Sequence, residues 1–166
     1  MDTYRQTSLA VVRETLQRGQ PLKLRVISGS MQPCLRAGDS VIAQSVEVDS
    51  LRRGDVVVVL RNDELITHRL IAIRSGLAYI KGDNLYQVDA PIDAHLILGR
   101  VTSIDRAGRP IDLQRLRWQR FDRFVGWLGY RHWQVTGHGR SSVVARVLNI
   151  PIRILIRSTF YICENF

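Results

Sequence analysis

Three short strings hold side chains that could do covalent chemistry together: Ser28-Gly29-Ser30-Met31-Gln32-Pro33, Ile66-Thr67-His68-Arg69 and Lys81-Gly82-Asp83-Asn84, with Asp89 six residues beyond Asp83. A serine hydroxyl is a poor nucleophile until a base takes its proton. Imidazole suits that task near neutral pH, and a carboxylate on its far nitrogen would fix its orientation. Ser30, His68 and one of Asp89 or Asp83 are therefore the candidate nucleophile, base and orienting acid. Asp89 ranks first, because an aspartate in a Gly-Asp-Asn turn commonly binds its own backbone; both stay open. Singly, each string reads more plainly as structure. Ser-Gly-Ser is mostly a surface turn, with Gly29 allowing a sharp bend and Pro33 fixing the exit. A lone histidine on an apolar strand is mostly packing. Their company is what suggests a hydrolase. His95, His132, His138 and Cys163 form no metal-ligand spacing, so no metal and no cofactor is expected.

The elements that must position these residues follow from patterning. Thr3-Tyr4-Arg5-Gln6 has capping-box form, and Leu9, Val12 and Leu16 share one helical face, predicting an amphipathic helix over about 4–18 that Gly19 and Pro21 stop. From Leu22 the texture turns to short β-type runs: Leu24–Ile27, Val41–Gln44, Val56–Leu60, Leu65–Ile73, Ala78–Lys81 and Leu96–Ile104. Gly38-Asp39 and Gly54-Asp55 each launch a strand, and that turn explains Arg53-Gly54-Asp55 better than an adhesion tripeptide does. From Asp112 the pattern is helical again, with arginines and Trp118, Trp127 and Trp133 interleaved, and a second apolar-basic segment over 142–162 interrupted by Pro151. The expected organisation is a helix over 1–21, a β-rich domain over 22–111 and a basic helical extension over 112–166. The fold class is mainly β, compact and mostly antiparallel.

The five boxes Ser28–Pro33, the two Gly-Asp turns, Thr67-His68-Arg69, Lys81–Asn84 and Leu98-Gly99-Arg100-Val101 come in an order that resembles the serine peptidases of the signal peptidase I superfamily. The resemblance covers about 22–101. With His68 ahead of Arg69, it resembles the Ser/His branch of endoplasmic-reticulum and archaeal enzymes more than the Ser/Lys bacterial branch. The resemblance implies a β peptidase domain of the signal peptidase and self-cleaving repressor type. It implies an oxyanion hole made by the Ser30 backbone N–H and the Ser28 hydroxyl. It also implies a groove floored by Met31 and the Val26 strand, taking an extended peptide with small residues beside the cleaved bond. In the family Lys81 belongs to the turn box, and Cys34 sits where a small or apolar residue stands, so neither is read as reactive. The implied function is a serine endopeptidase cleaving a leader or signal-like peptide. Two rivals remain: a self-cleaving repressor-type peptidase, for which 21 residues before the first strand leave too little room for a DNA-binding domain, and a degenerate peptidase fold serving as a binding module.

Charge divides the chain. With 24 basic and 15 acidic residues the net is +9, and residues 101–166 carry 11 of the basic but only 4 of the acidic side chains. The extension therefore holds most of the excess. Its interleaved arginine and tryptophan suit either a helical pair packed on the body or an anionic membrane surface; no nucleic-acid motif is present. The longest run without Asp, Glu, Lys or Arg, Val26–Leu35, is ten residues, far short of the ~20 a spanning helix needs. With no signal-peptide pattern, the expected location is the cytoplasm, with peripheral contact at the inner face of the membrane.

Overall fold

The computed structural model describes residues 10–16, 18–137 and 142–165. Residues 10–16 are helical (α1) and bury Leu16; the expected capping box at Thr3–Gln6 lies outside the described residues. Gly19 at φ 71° closes this helix, its N–H donating to the Leu16 carbonyl at 2.9 Å.

Eight strands follow: β1 (Leu22–Arg25), β2 (Ser40–Gln44), β3 (Val56–Arg61), β4 (Glu64–Arg74), β5 (Leu77–Lys81), β6 (Ile92–Asp93), β7 (Ile97–Arg106) and β8 (Arg109–Asp112). They form one sheet in the order β1-β2-β7-β3-β4-β5-β6, with β8 also on β7, and every pairing is antiparallel. The fold is thus a compact, mainly antiparallel β unit with an N-terminal helix and C-terminal helices. Strands β6 and β8 were not expected from sequence, being short pieces at hairpin edges with little patterning of their own.

The two Gly-Asp turns work by one device. Gly38 and Gly54 sit at φ 96° and 102°, where other residues are strained. The aspartate that follows turns its carboxylate back onto the chain: Arg36 N–H donates to Asp39 at 2.8 Å, and Arg52 N–H to Asp55 at 2.9 Å. A capped turn of this kind sets the strand's entry angle from within the turn itself.

Two helices, α2 (Leu116–Thr136) and α3 (Ser142–Asn165), close the fold. They are no appendage. Trp118, Phe121, Val125 and Leu128 of α2 and Ile156 and Phe160 of α3 share one buried cluster with Met31, Leu35, Val41, Val56, Val58 and Val101. Contrary to the expected interruption, α3 runs through Pro151. A second cluster, built on Val57, Val59, Leu70, Ala78, Ile80 and Ile97, lies among the alternate residues of the same strands, as the two-residue period of a strand requires.

Candidate active site

Ser30 follows β1 on the turn that leads to Gly38. This turn is gripped by the turn after β5: Asn84 donates from its backbone N–H to the Ser30 carbonyl at 2.8 Å and from Nδ2 to the Gly29 carbonyl at 3.1 Å. The approach is so close that a Cβ on Gly82 would stand 2.7 Å from the Ser30 carbonyl oxygen, so only glycine fits. Gly29 itself is not among the positive-φ residues, so its presence is not required by a left-handed bend. In the sequence Asn84 shows only as part of a turn; its grip on the serine loop is a long-range contact that no local pattern signals.

His68 and Arg69 are neighbours on β4, so their side chains leave opposite faces of the sheet. His68 Nε2 lies 3.1 Å from Ser30 Oγ, and Nδ1 lies 2.6 Å from Asp89 Oδ2. With Nδ1–H donated to the carboxylate, Nε2 is left as the acceptor for the serine hydroxyl proton. Asp89 is fixed by its own backbone, whose N–H donates to the Ile80 carbonyl at 2.9 Å. The histidine is 7% exposed and Ser30 half-buried, an arrangement that leaves the hydroxyl reachable while the base is shielded. Ser28 Oγ lies 3.2 Å from Ser30 Oγ; with the Ser30 proton given to His68, Ser28 is the donor in this pair.

Asp83 does not face the imidazole. Both its oxygens accept from Arg69, Oδ1 from Nε and Oδ2 from Nη2, each at 2.8 Å. Arg69 is fully buried and also donates from Nη1 to the Gly54 carbonyl and to Asp122 Oδ1, both at 2.6 Å. Burial works against the charge on Arg69, but Asp83 and Asp122 outweigh it and hold the guanidinium well above its ordinary value. Asp122 belongs to α2. The same crossing brings a Cβ position on Gly54 within 2.3 Å of the Asp122 carbonyl oxygen and one on Gly126 within 2.6 Å of Gly54 Cα, so α2 is docked against the sheet at backbone contact. Burial pushes the Asp122 carboxyl up to about 6, with Arg69 pulling it down.

Lys81 pairs with Arg69 across the strands and so shares its face, away from His68. Burial lowers it to about 8, Asp83 opposing, and its ammonium donates to the Gly82 carbonyl at 3.4 Å. Cys34 is fully buried, and burial raises its thiol far above the range where thiolate forms. Met31, expected to floor a groove, is 2% exposed and packs in the core cluster. Val26 is half-buried against the same cluster, its N–H and carbonyl bonded to Asp39 and Gly38. The apolar side chain presented to solvent beside Ser28 is instead Ile27, 89% exposed. His132 bonds the Ala145 carbonyl at 3.0 Å inside the helix pair, and His95 is exposed beside β6; His138 lies outside the described residues. Among the described residues no cluster of His, Cys, Asp and Glu could hold a metal ion, and no helix is long and apolar enough to cross a membrane.

Comparison with known proteins adds a partial likeness. The chain is 33% identical over 69 residues to proteins named "Inactive signal peptidase IA" from Staphylococcus aureus strains Mu50, N315 and MW2. The match takes in about 40% of this chain, and the chain spans about 40% of the length of those relatives. No family model matches. The likeness supports a signal peptidase I-like relationship, at the level of the superfamily.

Proposed function

We propose that this protein is a serine endopeptidase of the Ser/His type, acting on an extended leader or signal-like peptide after a small residue. The observation that carries the reading is the hydrogen-bonded line Ser30–His68–Asp89, with spacings of 3.1 and 2.6 Å. In the proposed reaction Ser30 Oγ attacks the scissile carbonyl carbon while His68 Nε2 accepts its proton. Asp89 holds the imidazole in the accepting tautomer and stabilises the cation that forms. Ser28, by its hydroxyl, and the Ser30 N–H are the proposed donors to the developing oxyanion; loss of one such donor costs on the order of 10²–10³ in turnover. The tetrahedral species collapses as His68 returns the proton to the leaving amine, leaving an acyl-serine. Water, deprotonated by His68, then attacks the ester, and the carboxylate product departs from the restored hydroxyl.

A second reading is favoured by the relatives' own name. Proteins called inactive point to a peptidase fold without turnover, working as a binding module. The two readings part at Ser30. Comparing protein N-termini by mass spectrometry in cells with the wild type and with Ser30→Ala should reveal termini, following small residues, that vanish in the variant. If no terminus depends on Ser30, and the purified protein cleaves no peptide carrying small residues, the binding-module reading replaces the enzyme.

A further inference from the structure

Helix α3 is apolar on two sides. Its inner side buries Ala145, Ile156 and Phe160 against the body. Its outer side carries Val147, Leu148, Ile150, Ile154, Leu155 and Ile162, each between 40% and 61% exposed. At 100° per residue these six fall on one arc of about 160° facing away from the core. Arg146, Arg153 and Arg157 line one border of that arc, at spacings of seven and four residues. No acidic residue occurs in α3 before Glu164. A helix with its second apolar side open to water is unusual in a globular body, where such a patch marks a contact surface.

We propose that the outer side of α3 lies on an anionic lipid surface, the helix parallel to the bilayer, with its apolar side chains at the acyl boundary and the three arginines at the headgroup phosphates. Charge complementarity selects this occupant. A second copy of α3 would bring only more arginine and no facing carboxylate along 142–163, whereas lipid phosphates supply the missing countercharge. The helix does not meet the requirement for spanning, so it lies on the surface rather than crossing it.

The position matters for the site. From the buried side of α3, Asn149 Nδ2 donates to the Leu85 carbonyl at 3.1 Å, and from the border of the outer arc the Arg146 guanidinium lies over the Tyr86 ring, 5.2 Å from its centroid. Leu85 and Tyr86 begin the loop that carries Asp89. A bilayer under α3 would therefore be coupled, through these contacts, to the loop that leads to Asp89.

The test uses the full chain and vesicle sedimentation, which reads binding without turnover and so fails separately from the peptidase reading. Wild-type protein should sediment with vesicles of phosphatidylcholine containing a third phosphatidylglycerol, and much less with phosphatidylcholine alone. The Ile150→Glu/Ile154→Glu variant alters only outward side chains and should keep its circular dichroism and melting, while its partition falls at least tenfold. Ser30→Ala should bind as the wild type does. Absence of wild-type binding to anionic vesicles, or binding indifferent to the double variant, would overturn the proposal. So would a wild-type dimer that the double variant splits without any vesicle binding, because the occupant would then be a second copy.

Discussion

At the residue scale, two aspartates six positions apart have divided their work. Asp83 spends both oxygens on Arg69, and Asp89 faces His68 Nδ1. Turn chemistry ranks the two acids and leads one to expect Asp83 on its own backbone. Its partner is instead the guanidinium of Arg69 on β4, the strand paired with β5, a cross-strand relationship that local spacing does not encode. His68 and Arg69 show why the site was otherwise readable: adjacent strand residues must face opposite ways, so one string could serve both the site and the core. A hydrogen bond of 2.6 Å between Nδ1 and a carboxylate belongs to the short, charge-assisted kind. Proton NMR should therefore show a strongly downfield Nδ1 proton in the wild type and in Ser30→Ala, and none in Asp89→Asn. Turnover of any cleaved peptide should fall about 10³–10⁴-fold in the same variant, because an amide at this place selects the wrong tautomer. A downfield signal that survives Asp89→Asn would remove Asp89 from the site.

At the element scale, the six patterned strands and the Gly-Asp turns were legible because each carries its own signal, a two-residue alternation or a glycine with a capping aspartate. The docking of α2 was not. It rests on Gly54 meeting Gly126 at backbone distance and on Asp122 reaching a buried arginine from 53 residues away. Arg69 faces two carboxylates, and Asp83 alone already grips it twice. Asp122 is thus the acid whose charge is least needed, and burial lifts it from 3.8 to about 6. A carboxyl with its pKa raised by folding binds its proton more tightly in the native state. Its contribution to stability is full below pH about 4 and is lost as pH rises through about 6. Asp122→Asn keeps a hydrogen-bond acceptor for Arg69 and has nothing to ionise. Thermal melts between pH 4 and pH 7 should show the wild type losing about 2 kcal/mol relative to this variant as pH rises. A difference that stays constant, or that grows in favour of the wild type, would mean that the ionised pair with Arg69 outweighs burial.

At the scale of the whole molecule, the uneven charge divides a nearly balanced body from a basic extension, and the arithmetic of that division stands. What charge could not report is that the extension supplies part of the core. Trp118, Phe121, Val125, Leu128 and Ile156 pack with Met31 and Leu35 of the serine loop's own segment, and the Phe160 ring meets Trp118 tilted and Phe121 edge-on, with centroids 5.3 and 5.6 Å apart. Arg106 joins the ends, bridging Asp39 of a Gly-Asp turn to Glu164 near the close of α3, at 2.8 Å on each side. Burying large apolar side chains stabilises by about 1.5–3 kcal/mol apiece. Removing the six that α2 and α3 bring to this cluster, Trp118, Phe121, Val125, Leu128, Ile156 and Phe160, uncovers their partners at a cost on the order of 10 kcal/mol, comparable to the whole stability of a domain, about 5–15 kcal/mol. It also strips Asp122 from Arg69 and the Asn149 contact from the loop before Asp89. A chain cut after residue 115 should therefore show no cooperative thermal transition and no near-ultraviolet circular dichroism, although its six patterned strands remain. Outward substitutions on α3 should leave both intact. If the shortened chain melts cooperatively and still shows the downfield His68 proton, the β unit folds and organises its site alone. The helices would then be a covering whose work lies entirely on their outer surface.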